Sequence, residues 1–231
     1  VLFTRGADVP DTTFTVASFS RSGTDLDGDE TIREYRYALN DTLDPASWRV
    51  LPRSSTFLTL REKDGLRIGD NALYLKAIDI AGAESRTIRM PDSAGVWFVK
   101  KPRTDLLIID DYGPTDASGS FYNGIVDTLF GGRFRGADVF DIRTGASSTS
   151  RGKLLPAYIN PTFIETLKLF RYIIWYADNT PTIDVAQLSL PEFQRDGGYI
   201  LYTASFPESA IDPRGGITDF APIDSLSPTP I

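Results

Sequence analysis

The sequence of 231 residues contains no cysteine and no histidine. Without cysteine, disulfides, thiol nucleophiles, zinc–thiolate sites and iron–sulfur clusters are excluded. Without histidine, Ser-His-Asp and Cys-His catalysis and imidazole metal sites are excluded as well. An enzymatic activity of this chain would therefore depend on carboxylates.

Lysine is also scarce, and the charges are unbalanced. The chain has six Lys beside 18 Arg and 24 Asp beside seven Glu, for a formal net charge of −7. A chain this acidic repels a phosphate backbone, which excludes sequence-independent binding to nucleic acid. Abundant Asp with scarce Lys resembles the composition of proteins from salt-loving microbes, in which hydrated carboxylates keep the surface soluble. An ordinary acidic protein is the alternative.

Long apolar segments are missing too. No run approaches the ~20 residues that a bilayer crossing needs, so the sequence predicts no membrane span. The first residues, Val1-Leu2-Phe3-Thr4-Arg5, lack the basic segment and apolar core of a signal peptide. With 41% hydrophobic and 24% charged residues, the composition is that of a globular protein. The length allows two modest domains.

Residues 1–100 are predicted to form the first domain, an all-β sandwich. Short apolar–polar alternations recur without a helical segment between them, as at 13–20, 32–39, 56–60 and 71–79. The strand motifs resemble those of bacterial immunoglobulin/fibronectin-III-like domains: Tyr35-x-Tyr37-x-Leu39, Trp48, and Leu73-Tyr74-Leu75-Lys76-Ala77-Ile78-Asp79-x-Ala81-Gly82. This resemblance implies a spacer or binding module of an exported protein.

Residues 105–231 are predicted to form the second domain, with a parallel sheet. The period changes after Lys101-Pro102-Arg103-Thr104, a linker candidate. Predicted strands at 105–111, 137–142, 172–178 and 199–205 alternate with amphipathic helices at 121–130, 161–170 and 185–195. The predicted fold class is therefore an immunoglobulin-like sandwich followed by a three-layer α/β, flavodoxin-like sheet.

This half resembles the flavodoxin-like, class I glutamine-amidotransferase-like domains. The resemblance lies in Leu106–Asp111, Phe170–Thr180 and Leu190–Ser205. Active members of that family carry a Cys just after the strand that corresponds to 199–204, and a His later. Here that stretch reads Thr203-Ala204-Ser205-Phe206. The resemblance therefore implies a degenerate domain without amidotransferase or peptidase chemistry.

Polar residues stand at the ends of three of the predicted parallel strands or directly after them. They are Asp110 and Asp111, Asp178 and Asn179, and Ser205. Ligands of parallel sheets bind beyond the carboxyl ends of the strands, so these five residues are the predicted ligand-binding site. Three interpretations stay open. The carboxylates cap the following helices, they form a Mg²⁺ or polar-ligand site, or they form a receiver-like site in which Asp178 accepts the phosphoryl group.

A second acidic cluster lies in a turn of the first half. Asp25, Asp27 and Asp29 have the alternate spacing of a calcium loop. The turn is not an EF-hand, because Glu30 stands where glycine is required. The alternatives are a structural Ca²⁺ between strands and a solvated acidic turn.

These observations favour a non-catalytic binding or structural module of an exported or cell-envelope protein. The expected partners are an envelope protein or a carbohydrate, and no nucleic acid. The alternative is a carboxylate- and Mg²⁺-dependent hydrolase, or a receiver-like domain, that uses the strand-end Asp residues.

Overall fold

A computed structural model describes residues 12–91, 95, 97–113, 117–143 and 161–205. The chain start and the segment after residue 205, both interpreted above, lie outside these residues. Contacts divide the chain into two compact units, Val1–Lys101 and Pro102–Ile231. That the units fold as autonomous domains stays a prediction. No helix in the described ranges is long and apolar enough to cross a membrane.

The described part of the first unit is built from nine short strands. They are β1 (Thr12–Thr13), β2 (Val16–Ser20), β3 (Ile32–Leu39), β4 (Arg49–Pro52), β5 (Phe57–Arg61), β6 (Gly69–Asn71), β7 (Leu73–Asp79), β8 (Ile88–Met90) and β9 (Trp97–Val99). Alternating apolar residues give most of the longer strands one buried face, as in β7, where Leu73, Leu75 and Ala77 are buried.

These strands pair into three sheets. The strand orders are β4-β3-β7-β8, β2-β5 and β1-β9-β6, and β1 runs parallel to β9. One buried cluster joins side chains from all three sheets, including Phe19, Tyr35, Leu75 and Trp97. The indole of Trp97 packs edge-on against Phe19 and donates a hydrogen bond to the Thr13 hydroxyl at 2.8 Å.

The second unit alternates strands and helices. Its strands are β10 (Leu106–Asp111), β11 (Asp138–Asp141), β12 (Tyr172–Ala177) and β13 (Tyr199–Thr203). Its helices are α1 (Ser118–Thr128), α2 (Pro161–Leu167) and α3 (Ile183–Arg195). The four strands form one parallel sheet in the order β11-β10-β12-β13. The run Leu106–Ile109 is buried on both faces, as a central parallel strand requires.

Helices cover the two faces of this sheet unequally. On one face, Phe163 of α2 packs edge-on against Trp175 of β12, with ring centroids 6.2 Å apart. On the other face, Val126 of α1 joins the buried cluster of Leu106, Ile108 and Tyr176. Helix α3 is closed by Gly197, two residues after its end, whose φ of 87° is the left-handed conformation that terminates helices.

The predicted fold class is wrong. An immunoglobulin-like sandwich has two facing antiparallel sheets, whereas the described strands of the first unit divide among three sheets, one of which contains a parallel pair. A flavodoxin-like sheet has five strands, whereas the described residues of the second unit supply four strands with three helices. The described chain is a mixed α/β protein with four separate sheets. Periodicity identified strands, but it carries no information about which strands pair.

Candidate functional site

The candidate site lies at the carboxyl edge of the parallel sheet, the edge at which all four strands end. The register pairs Asp110 of β10 with Asp141 of β11 and with Tyr176 of β12. Tyr176 in turn pairs with Thr203 of β13. The residues that end or follow these strands therefore meet at one edge, which is the edge at which the sequence placed Asp110, Asp111, Asp178, Asn179 and Ser205.

Asp111 is the centre of this edge, and its side chain is fully buried. Its Oδ1 accepts a hydrogen bond from Arg143 Nε at 2.9 Å. Its Oδ2 accepts from Trp175 Nε1 at 3.2 Å and from the backbone N–H and hydroxyl of Thr182, both at 2.7 Å. Both carboxylate oxygens are thus occupied by protein donors, one of them cationic.

Arg143 connects the loops that follow three strands. Besides Asp111 Oδ1, the guanidinium donates through Nη2 to the carbonyl oxygens of Asp111 at 3.2 Å and Thr180 at 2.6 Å. The same Nη2 lies 3.8 Å from Asp178 Oδ1. One arginine therefore neutralises the buried Asp111 and lies beside the second carboxylate of the edge. We call Asp111, Arg143, Trp175, Thr180 and Thr182 the arginine network.

Asp178 is partly exposed and closes its own turn. Its Oδ1 accepts from the backbone N–H and from the hydroxyl of Thr180, both at 2.7 Å. The hydroxyl bond is the main cause that lowers the pKa of Asp178 below its usual range. Partial desolvation opposes this shift, and the Thr180 backbone N–H, the charge of Arg143 and the Gly113 backbone N–H support it.

The remaining predicted residues lie at the rim of the edge. Asp110 Oδ1 accepts a hydrogen bond from the backbone N–H of Tyr112 at 3.1 Å. Its Oδ2 lies near the first turn of α1, 3.6 Å from the position that a Cβ atom on Gly119 would occupy. Ser205 is exposed, and its backbone N–H donates to the carbonyl of Asp178 at 3.3 Å. Asn179 is exposed. The structure thus brings Asp111 and Asp178 together through Arg143.

Carboxylates of both predicted acidic sites accept hydrogen bonds from the protein itself. In the part of the chain that the structure describes, no three His, Cys, Asp or Glu side chains form a group that could hold a metal ion. In the acidic turn, Asp25 Oδ1 accepts from the backbone N–H of Asp27 at 3.0 Å, and Asp29 Oδ1 accepts from the backbone N–H of Asp25 at 2.9 Å. The carboxylates of Asp25 and Asp29 therefore stabilise the turn in which they lie. The predicted Ca²⁺ or Mg²⁺ stays a prediction.

Sequence reasoning missed the donors that surround Asp111. Arg143 lies two residues after the end of β11. Thr180 and Thr182 follow β12 in the polar turn Asp178-Asn179-Thr180-Pro181-Thr182. A search for basic and hydroxyl residues after each strand, as well as acidic ones, would have found them.

Replacing Thr180 by valine should raise the pKa of Asp178 toward its ordinary value, because the main hydrogen bond to the carboxylate is lost. A carboxyl whose pKa is lower in the folded state adds stability above its unfolded pKa, and this contribution disappears as the pH falls through the folded pKa. The Thr180→Val variant should therefore lose stability at neutral pH. NMR titration of the Asp178 carboxyl carbon measures the shift.

The control for this prediction is Thr128→Val. The Thr128 hydroxyl is exposed and donates to carbonyls of its own helix, at 3.0 Å from both Gly124 and Ile125. This variant should leave the Asp178 pKa unchanged. An Asp178 pKa that is the same in Thr180→Val as in the wild type would show that the turn does not hold the carboxylate.

No protein-family model matches the sequence, and no curated protein matches it significantly. Among solved structures, the chain has a likeness to a polysaccharide deacetylase from Bacillus cereus, with 9% sequence identity and a TM-score of 0.27. The likeness covers 86% of this chain and 68% of that chain. At this TM-score it carries no argument about fold or activity.

Proposed function

We propose that the chain is a non-catalytic binding or structural module of an exported or cell-envelope protein. The observation that carries the proposal is the saturation of Asp111 by Arg143, Trp175 and Thr182. A carboxylate that is fully buried and accepts four hydrogen bonds stabilises the fold and has no oxygen left for substrate. The absence of Cys and His from the sequence supports the same interpretation.

The partner classes that we propose are an envelope protein and a carbohydrate. The location outside the cytoplasm stays a prediction from the sequence motifs in residues 35–82, because the described strands do not form the immunoglobulin-like sandwich that those motifs implied. In this account the arginine network has a structural role: it fixes the loops after β10, β11 and β12 so that the edge of the sheet keeps one shape.

Thermal unfolding with added Mg²⁺ or Ca²⁺ distinguishes this proposal from the alternative of a carboxylate- and Mg²⁺-dependent enzyme. A divalent ion that binds the folded chain and is present at about a hundred times its dissociation constant would add about 2.7 kcal/mol to the free energy of unfolding. For a chain of this size, that raises the melting temperature by roughly 5 °C or more. Because Arg143 already supplies the positive charge beside Asp111, we expect millimolar MgCl₂ or CaCl₂ to change the melting temperature of the second unit by less than about 1 °C. Differential scanning calorimetry at constant ionic strength measures this.

The matched variant is the double substitution Asp110→Asn with Asp178→Asn. A rise in melting temperature with Mg²⁺ that this variant abolishes would contradict the proposal and favour a metal-dependent site. Phosphorylation of Asp178 by acetyl phosphate would contradict it in favour of the receiver-like alternative. Turnover of a phosphoester, ester or glycoside that Asp178→Asn removes would contradict it in favour of a hydrolase.

A further inference from the structure

We draw no further inference here: the strongest candidate, the open apolar groove of about 620 Å³ between the end of α1 and the outer strand β13 of the parallel sheet, carries nothing, because its charged lining residue Arg133 is already paired with Asp105 and nothing in the described part of the chain shows what covers it.

Discussion

Replacement of Asp111 by alanine is expected to destabilise the second unit by about 3–5 kcal/mol, the cost of removing one partner of a buried ion pair. The substitution leaves the Arg143 guanidinium without its buried counter-charge, and it leaves the indole N–H of Trp175 and the backbone N–H of Thr182 without their acceptor. Trp175 is fully buried, so its indole N–H would lose its hydrogen bond without gaining water. Amide hydrogen exchange of β10 and β12 measures the change in opening free energy.

Asp178→Ala is the control for the Asp111 substitution. Asp178 belongs to the same edge, but 22% of its side chain is exposed and its main donor is the Thr180 turn. Its replacement should cost about 1 kcal/mol, as for other carboxylates that cap a backbone N–H. Equal effects of the two substitutions would show that Asp111 is not the buried centre of the network.

Replacement of Trp97 by alanine is expected to destabilise the first unit by about 3–5 kcal/mol, the usual cost of removing a buried aromatic side chain. Trp97 is 1% exposed and belongs to the cluster that joins the three sheets of that unit. The substitution leaves a cavity beside Phe19 and removes the donor to the Thr13 hydroxyl. Urea denaturation followed by far-ultraviolet circular dichroism, with hydrogen exchange of β7 and β9, measures the loss.

Trp48→Ala is the matched control for Trp97. Trp48 is only partly buried, its indole N–H donates to the Thr42 carbonyl at 3.3 Å, and Lys76 Nζ lies 4.5 Å from its ring centre. Its loss should cost about 1 kcal/mol, because little cavity is created at a partly exposed site. A larger effect at Trp48 than at Trp97 would mean that the core of the first unit lies elsewhere.

Local patterns in the sequence predicted much of the second unit. The continuous apolar run before Asp110 predicted a strand buried on both faces, because such a strand lacks polar alternation. The predicted helix at 121–130 is found as α1 followed by a 3₁₀ turn at Leu129–Gly132. Placing Asp110, Asp111 and Asp178 at one edge followed from the common direction of parallel strands.

Pairing between distant strands could not be predicted in the same way. The parallel contact of β1 with β9 joins Thr12 and Thr13 to Phe98 and Val99, and no local period encodes it. The donors to Asp111 were missed for a related reason. Arg143 lies 32 residues from Asp111, so their contact depends on the register of β10 and β11.

A double-mutant cycle on Asp111 and Arg143 tests the central claim most directly: the buried carboxylate of the candidate site is neutralised by the protein itself. The free energy of unfolding is measured for the wild type, Asp111→Asn, Arg143→Gln and the double variant. We predict a coupling of about 1–3 kcal/mol, with the double variant less destabilised than the sum of the single variants. Additive losses, with a coupling below about 0.5 kcal/mol, would contradict the account, because Asp111 would then have no counter-charge in Arg143.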